Sequence, residues 1–434
     1  MGVKIIVTGE KKGPPLFWGW WVVMGAFLVL AVNYGARYCF GVFLKPMAED
    51  YGWSRSVISL GASLNMLVYS LGAVVMGRLV DRTAPRWIIT TGALIAALSF
   101  VLTAFVKTPL AFYLVYGLMC GTGTAGMGVV VANSSVGKWF VRKRGTALGI
   151  TTMGIGFGTI VLTPAAGYIV EHLGWRVGFL FLGTVVFIVG VTLSQILLGK
   201  KSPEDHGLAP DGGTTSTPPL SCEAPAVDER PSFSAVLKDS RFRVLAMGFG
   251  AGVMVMMSVF IHQVAFAVDR GIDRVAAASS LGATAMSGLA GQFFFGWLSD
   301  RLRDPKYAAS LGMGIMALGM VFLIRAEDVL DLYLYALVFG FGYGSLAPMM
   351  PILLADRFGR QVMGTVYGYV TLFIGGGGAV GPILAGIFYD RLGSYDIVWL
   401  GDATVLLAAG ILLLNLRRTE EGPRGERRSA APGP

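Results

Sequence analysis

Long apolar stretches alternate with short polar segments along almost the whole chain, and twelve of these stretches are long enough to cross a membrane as helices. A spanning helix needs about 20 apolar residues, whereas a spanning strand of a barrel needs only about 9 to 11. A helix also satisfies its backbone polar groups within its own segment. The pattern therefore predicts an all-α membrane protein with twelve transmembrane helices, near residues 17–43, 56–80, 87–106, 109–137, 145–170, 175–198, 242–268, 275–299, 307–325, 329–355, 362–388 and 397–416.

The composition agrees with this pattern. The chain of 434 residues is 54% hydrophobic and 14% charged, whereas a soluble chain carries about 25% charged residues. The first helix is too long, and begins too late, to be a removable signal peptide. Cys39, Cys120 and Cys222 show neither a metal-binding spacing nor a disulfide framework, so we expect no metal and no cofactor.

A polar, proline-rich segment divides the helices into two sets of six. We predict a cytoplasmic tail at 1–16, a bundle at 17–198, a flexible linker at 199–241, a second bundle at 242–416 and a cytoplasmic tail at 417–434. Within the linker, residues 232–242 could form a short interfacial helix.

The two sets of helices match each other at a fixed offset of 219 residues. The matching pairs include Gly77 with Gly296, Asp81-Arg82 with Asp300-Arg301, and Gly145-Thr146 with Gly364-Thr365. Such a repeat indicates a duplicated unit. Because each unit has an even number of spans, both copies have the same orientation. This resembles the two pseudo-symmetric six-helix bundles of the major facilitator fold, with a substrate site between them.

Positive charges mark one side of the predicted bundles. With the N-terminus inside, the tails and the even-numbered loops hold most of the 35 Lys and Arg residues. Cytoplasmic loops carry an excess of these residues, so we expect both termini in the cytoplasm and the chain in the cytoplasmic (inner) membrane. The net charge of +9 then faces anionic membrane lipids, and nucleic acid is not expected as a partner. We expect a monomer.

Two cytoplasmic loops carry related motifs, at residues 77–86 and 296–306. They resemble the loop motif of the major facilitator superfamily, in which Asp and Arg pair across the cytoplasmic face in one state. The resemblance implies that Asp81, Arg82, Asp300 and Arg301 form a cytoplasmic gate. The alternative is that these charges only set the orientation in the membrane.

Three longer segments carry further motifs: residues 19–59 contain FGVF and GWSRS, residues 139–158 read WFVRKRGTALGITTMGIGFG, and residues 203–212 read PEDHGLAPDG. They resemble the monocarboxylate transporter family and its bacterial oxalate/formate-antiporter-like relatives. The resemblance implies a substrate cavity lined by helices 1, 4, 7 and 10. It also implies substrate-lining roles for His262, Gln263 and Tyr343.

The family pattern is only partly met. Tyr38, not Arg37, stands where many animal members have a coupling lysine, and Gln292 stands where the family has a carboxylate-binding arginine. Gly288 replaces the acidic partner of that arginine. These departures leave ion coupling and the mode of anion binding open.

Arg37 is the residue that most needs an explanation, because it lies well inside the first apolar stretch. A guanidinium at such a depth costs about 2.5 to 3.5 kcal/mol and normally faces a bundle interior or a watery cavity. Asn33 and Arg37 share one helix face, with Tyr34 and Tyr38 beside it. We predict that these residues bind an anionic substrate; alternatively, Arg37 reaches the headgroups and has no chemical role. Further residues that could contact substrate or merely pack are Tyr116, Tyr369 and Phe373.

Two other polar residues within the apolar stretches could carry protons or charge. His262 can titrate near neutral pH and is the candidate for proton coupling, although it could equally be a hydrogen-bonded structural residue. Asp402 lies in helix 12, which is peripheral in the major facilitator fold. We therefore expect an interfacial or structural role for it.

The function predicted from these observations is secondary active transport of a small organic anion, with a monocarboxylate as the first candidate and proton coupling as one option. The alternatives are a carboxylate exchanger, a transporter of a neutral or cationic solute, and a transport-dead ligand sensor. An enzyme is not expected: Gly121, Gly123 and Gly126 match a nucleotide-binding pattern but lie inside a span with no strand before them.

Overall fold

The computed structural model describes residues 17–199, 202–206, 209–212 and 232–417. The tail predicted at 1–16, parts of the linker, Cys222, and all but the first residue of the tail predicted at 417–434 lie outside the described residues. Every regular element in the described ranges is helical. The predicted all-α fold class is therefore confirmed.

Twelve long spans, numbered here in chain order, form the two bundles. The first six are Gly19–Tyr51, Arg55–Arg82, Pro85–Thr103, Pro109–Trp139, Arg144–Leu173 and Trp175–Leu197. The second six are Ser240–Asp269, Arg274–Arg301, Lys306–Ile324, Val329–Phe358, Met363–Leu392 and Asp396–Leu414. The helix expected at 232–242 is shorter, because Phe233–Lys238 ends just before the seventh span begins.

Among the described residues, 11 helices are both long and apolar enough to cross a membrane. The eighth span, Arg274–Arg301, has the length but is more polar. It packs between the fifth and tenth spans, and its Ser280, Thr284 and Gln292 are buried in protein. A span that is shielded from lipid in this way can carry polar residues.

Polar caps and prolines determine where several spans begin. Ser54, Asp273 and Asp328 each accept a hydrogen bond from a backbone N–H in the first turn of the helix that follows. Pro85 and Pro109 lie at the first helical positions, where no N–H donor is needed. These residues satisfy or remove the free donors of a helix start.

Small residues bring equivalent spans close together in the two bundles. The first span packs along the fifth, and the seventh packs along the eleventh. A side chain on Gly158 would collide with the backbone of Ala31, and one on Gly377 would collide with the backbone of Gly250. Both contacts obey the offset of 219 residues. The pseudo-symmetry predicted from the repeat is therefore confirmed.

Three spans are interrupted near their middle. The first consists of Gly19–Tyr38 and Phe40–Tyr51, which meet at Cys39. The fourth is broken at Met127 and Gly128, and the tenth at Gly344 and Ser345. Broken helices in transporters occur where the backbone lines a cavity. These breaks lie in three of the four spans that were expected to line the substrate site.

Candidate substrate cavity and gate

The gate end is defined here as the end of the bundles that carries the loops after the second, fourth, eighth and tenth spans. There, Asp81 of the second span binds the beginning of the eleventh. Its carboxylate accepts hydrogen bonds from the N–H of Gly364 (3.2 Å), the N–H of Thr365 (2.8 Å) and the Thr365 hydroxyl (2.9 Å). Lys138 Nζ lies 3.7 Å from the same carboxylate. A carboxylate is favoured at a helix N-terminus, so this contact holds the two bundles together.

Asp300 of the eighth span makes the matching contact with the beginning of the fifth. Its carboxylate accepts from the N–H of Gly145 (2.6 Å), the N–H of Thr146 (2.7 Å) and the Thr146 hydroxyl (2.7 Å). Every member of this contact is related to its counterpart at Asp81 by the 219-residue offset. The two contacts are therefore pseudo-symmetric, and a gating role for Asp81 and Asp300 stays a prediction.

The resemblance implied that these aspartates pair with Arg82 and Arg301, and the structure shows a different arrangement. Arg82 is exposed, and the Arg301 guanidinium lies 4.1 Å from the centre of the Trp297 ring. Backbone N–H groups and Lys138 occupy the positions expected for the arginines. A gating role for Arg82 and Arg301 stays a prediction.

Further contacts across the gate involve Tyr369, which was predicted to contact substrate or pack. Nε and Nη2 of Arg78 donate to its hydroxyl at 3.1 and 2.5 Å, and the ring of Phe233 from the linker lies 4.9 Å away. Nη1 of Arg360 donates to the Lys138 carbonyl at 2.8 Å. In this conformation Tyr369 thus takes part in contacts at the gate end, and substrate contact by it stays a prediction.

Two acidic residues of the linker, Glu204 and Asp211, bind the gate end. The Asp211 carboxylate accepts hydrogen bonds from three successive N–H groups of residues 141–143, at distances between 2.7 and 3.4 Å. Glu204 lies 3.4 Å from Arg360. The first contact is with the first bundle and the second is with the second bundle, so the linker bridges the gate.

The bundles approach each other most closely at the gate end. Along the fifth and eighth spans, the backbones of Gly145 and Gly296 are in contact, and Gly156 packs against Leu289. Nearer the other end of these spans, a side chain added at Gly167 or Gly282 would meet nothing within 4 Å. The two spans therefore separate with distance from the gate.

Arg37 lies in the middle of the first span, next to the break at Cys39. Its guanidinium carbon is 4.0 Å from the centre of the Tyr69 ring and 5.6 Å from that of Tyr34. The hydroxyls of these two tyrosines are 2.7 Å apart. The face of an aromatic ring attracts a guanidinium, so the stack orients the arginine.

The neighbours of Arg37 place it in the wall of a cavity. The ring of Tyr38 lies 5.6 Å from that of the buried Tyr34, yet 53% of the surface of Tyr38 is accessible. A residue that is deep in the molecule and still accessible lines a cavity. Within the described residues, Arg37 forms no ion pair.

Asn33 and Tyr116 lie inside the first bundle. Nδ2 of Asn33 donates to the carbonyls of Thr124 and Met127, both at 3.2 Å, and so joins the first span to the break in the fourth. The buried Tyr116 ring stacks on Phe40 at 4.7 Å. Substrate contact by these two residues stays a prediction, and in this conformation both act in packing.

In the opposite bundle, Tyr343 occupies the place next to Gly288, where a side chain would collide with its ring. The ring of Phe260 lies 5.4 Å from that of Tyr343. Gln292 is buried, and its Oε1 has no hydrogen-bond partner among the described residues. Phe373 is accessible on the eleventh span. Tyr343 thus fills the space that the acidic residue expected from the resemblance would need.

His262 and Gln263 are both engaged within the second bundle. His262 Nδ1 lies 3.0 Å from the Tyr395 hydroxyl, and its Nε2 lies 3.0 Å from the Pro382 carbonyl. The buried Gln263 accepts a hydrogen bond from Tyr335. His262 therefore joins the seventh span to the eleventh and twelfth. Its role in proton coupling stays a prediction.

Sequence reasoning did not identify the residues that donate hydrogen bonds to Asp81 and Asp300, or those that bind the linker to the gate end. Thr146 and Thr365 were part of the repeat, and their recurrence was the available signal. Asp211 lies in the PEDHGLAPDG motif, which was the available signal for the linker. Asn133 Nδ2, which donates to the Tyr367 hydroxyl across the bundles at 3.3 Å, carried no comparable signal. The described residues contain no group of three or more His, Cys, Asp and Glu suited to a metal ion.

The chain is similar in sequence to named transporters. The family model described as Major Facilitator Superfamily matches residues 26–382 and 290–433. Human monocarboxylate transporter 11 is 26% identical over 424 residues, which cover 95% of this chain and 86% of that protein. Human monocarboxylate transporter 2 is 27% identical over 436 residues, with coverage of 96% and 90%.

Solved structures share the fold. The major facilitator transporter FucP in the outward conformation aligns with a TM-score of 0.70 at 15% identity, covering 92% of this chain and 99% of that one. The human organic anion transporter MFSD10 aligns with a TM-score of 0.64 at 15% identity, covering 92% and 100%.

Sequence and fold lead to one assignment. The family model extends over most of the chain, and the relatives at similar length are membrane transporters rather than enzymes. The twelve spans, the repeat and the gate are the architecture of such a transporter. The chain therefore belongs to the major facilitator superfamily.

Proposed function

We propose that this protein moves a small monocarboxylate across the cytoplasmic membrane by alternating access. The observation that carries the proposal is Arg37, a cation in the cavity wall that forms no ion pair within the described part of the chain. An unpaired charge in such a place is unfavourable, and an anionic substrate would supply the missing partner. The relatives named monocarboxylate transporters support the same substrate class.

The chemistry of Arg37 suits a carboxylate. Its planar guanidinium can bind both oxygens through two parallel hydrogen bonds. Because Tyr69 stacks on one face of the guanidinium, the N–H groups at its edge stay free for the substrate. Tyr38, next to Arg37, and Tyr343 of the opposite bundle would contact the remainder of a small molecule. The site requires only one anionic group, which favours monocarboxylates.

The gate contacts support alternating access. In this conformation, Asp81 and Asp300 close the gate end, so substrate would enter from the opposite side. Release at the gate end requires that both aspartates leave the helix starts they bind. The bundles would then rock about the substrate, as the pseudo-symmetry of the fold allows.

Transport in proteoliposomes tests the proposal. Purified protein should take up radiolabelled pyruvate, lactate or acetate saturably. Arg37→Gln should raise KM or lower kcat/KM by about 10- to 100-fold, because a charge-assisted hydrogen bond is lost. Arg37→Lys should recover only part of the activity, since an ammonium cannot bind both oxygens. The matched control is Arg325→Gln, which removes an exposed arginine at the other end.

The same preparation separates the modes of coupling. Uptake that follows an imposed pH gradient indicates proton symport, whereas uptake that needs internal carboxylate indicates exchange. If no carboxylate were transported under either condition, or if Arg37→Gln left anion transport unchanged, the proposed substrate class would be wrong.

A further inference from the structure

A buried acidic residue in the twelfth span has no role in the proposed anion site. Asp402 is only 8% exposed and lies within the helix Asp396–Leu414, on the face that it buries. This helix packs against the seventh and ninth spans. An acidic residue inside a span is uncommon and is often part of a proton pathway.

Three polar atoms on this contact have no hydrogen-bond partner among the described residues: Asp402 Oδ2, Ser258 Oγ and Trp399 Nε1. Ser258 of the seventh span lies beside the Asp402 carboxyl group. Trp399 precedes Asp402 by about one turn on the same buried face. All three residues are more than nine-tenths buried. Buried polar atoms are nearly always paired. The indole N–H of Trp399 can only donate, whereas the Asp402 carboxylate oxygen requires a hydrogen-bond donor or a proton of its own.

The surroundings of Asp402 favour a bound proton. In the described ranges, no cation forms an ion pair with the carboxyl group. An isolated carboxylate in an apolar interior is strongly unfavourable, whereas the protonated acid is tolerated and can donate to an oxygen such as Ser258 Oγ. The spans that pack against this helix carry other titratable groups: Arg241, Arg243, His262 and Asp269 on the seventh, Lys306 and Tyr307 on the ninth, and Tyr367, Tyr369, Tyr389, Asp390 and Arg391 on the eleventh.

Each of these titratable groups lies elsewhere or has its own contacts. His262 is about one turn beyond Ser258 and contacts Tyr395 and Pro382. At the gate end, Lys306 Nζ donates to the Leu416 carbonyl and lies over the Tyr307 ring. The Tyr389 hydroxyl donates to Asp269. Asp402 is thus the acidic residue that can bind a proton where the twelfth span packs against the seventh and ninth.

We propose that Asp402 is the proton-binding residue that couples transport to a proton gradient, with Ser258 as the hydrogen-bond partner of the protonated carboxyl group. The inference rests on the proposed transport function. A proton converts the carboxylate into the neutral acid in one state, and the acid returns the proton to the other side after the bundles have moved.

A chain of contacts links this site to the gate. Ser258 and His262 lie on the seventh span, and His262 contacts the Pro382 carbonyl of the eleventh. The beginning of the eleventh span is the segment bound by Asp81. A change in the packing of the seventh span against the twelfth would therefore move the eleventh span, whose beginning Asp81 binds.

The variant Asp402→Asn tests the proposal, because it mimics the protonated acid permanently. In proteoliposomes that contain the full-length protein, exchange of labelled for unlabelled pyruvate at equal pH should stay within about twofold of the wild type. Uptake driven by an inward proton gradient should fall at least about tenfold, to the level without a gradient. Asp402→Glu should keep most of the gradient-driven uptake.

The matched control is Asp390→Asn, which removes an exposed carboxyl group and should leave both assays unchanged. His262→Gln tests the rival coupling residue. If His262→Gln abolished gradient-driven uptake while Asp402→Asn preserved it, the assignment to Asp402 would be overturned.

A spectroscopic measurement keeps this inference separate from the transport proposal. The infrared spectrum of the wild type should contain the carbonyl band of a protonated carboxyl group in apolar surroundings, and the band should disappear in Asp402→Asn but persist in Asp390→Asn. If the wild type transported no carboxylate, the substrate proposal would fail and this band would still decide whether Asp402 binds a proton. A band that persists in Asp402→Asn would contradict the inference.

Discussion

At the scale of single residues, the polar side chains inside the spans form two groups. Some have hydrogen-bond or ion-pair partners on neighbouring spans, and others do not. Asn33 and His262 use their side-chain nitrogens to join spans. Arg37 has no ion pair, and Asp402 Oδ2 has no hydrogen-bond partner, among the described residues. Leaving a buried polar group unpaired is unfavourable. Because Arg37 and Asp402 also carry charge when ionised, these are the two residues that we assign to ligands.

A prediction at this scale concerns the glycine that brings the first and fifth spans together. A Cβ at Gly158 would collide with the backbone of Ala31, whereas one at Gly167, in the same span, would meet nothing within 4 Å. Gly158→Ala should lower the free energy of unfolding by about 1 to 3 kcal/mol, because backbone cannot move aside as a side chain can. Thermal unfolding of the detergent-solubilised protein measures the effect.

Gly167→Ala is the matched control for this experiment. It should leave the melting temperature unchanged or raise it slightly, since alanine favours a helix by up to about 1 kcal/mol over glycine. Equal destabilisation by the two variants would show that the close contact between the first and fifth spans is not what requires glycine.

At the scale of elements, the gate is built from helix ends. Asp81 and Asp300 lie at the ends of the second and eighth spans and bind the free N–H groups that begin the eleventh and fifth. The contact uses backbone groups that every helix start has, with a threonine hydroxyl added on each side. We therefore expect the gate to open by separation of two rigid elements, without the unfolding of a helix.

Removal of the gate charges should shift the protein toward its other conformation. Asp81→Asn and Asp300→Asn each replace a charge at a helix N-terminus, which contributes about 0.3 to 2 kcal/mol. The double variant should therefore lower the population with a closed gate more than either single variant. Spin labels at Arg82→Cys and Arg303→Cys, both exposed at the gate end, would report the separation in a background without Cys222.

The expected result is a larger fraction of long distances between the two labels. Asp390→Asn, which removes a carboxyl group outside the gate, should leave the distance distribution unchanged. An unaltered distribution in the double variant would contradict the role of the aspartates in holding the gate closed.

At the scale of the whole molecule, the two bundles repeat the same contacts. The pairs Gly158–Ala31 and Gly377–Gly250 and the two gate aspartates all follow one offset. Arg37 and Asp402 break this symmetry, because Gly183 is the match of Asp402, and Met256 is the match of Arg37. A symmetric scaffold thus carries, one in each bundle, the two unmatched residues for which we propose ligand binding.

The orientation of the molecule in the membrane stays a prediction from its charges and can be measured. Lys107 is exposed in the loop after the third span, and Arg82 is exposed at the end of the second span, before the loop that follows it. An impermeant maleimide applied to intact cells should label Lys107→Cys and should label Arg82→Cys only after permeabilisation, because positive loops are retained in the cytoplasm. Cys39 and Cys120 are buried, so a background without Cys222 suffices. The reverse pattern would show that the termini lie outside.

Much of the fold could be predicted from the sequence, whereas the site could be predicted only in part. Apolar length and the 219-residue repeat identified the spans and the two bundles, including the eighth span, whose polar residues are buried between its neighbours. The gate aspartates were recognised through a motif, but their partners were not. A motif shows which residues recur in a sequence. It does not show which backbone N–H groups those residues bind in the folded protein.

The sequence by itself determined which segments enter the membrane, that the unit is duplicated, and that Arg37 and Asp402 lie inside spans. Transfer of a segment into lipid depends on its own side chains, so these conclusions need no neighbours. Only the tertiary structure decided that Tyr69 stacks on Arg37, that helix starts receive Asp81 and Asp300, and that Ser258 lies beside Asp402. Helical periodicity specifies the direction in which a side chain points around the axis of its helix. The residue it meets depends on how the spans pack.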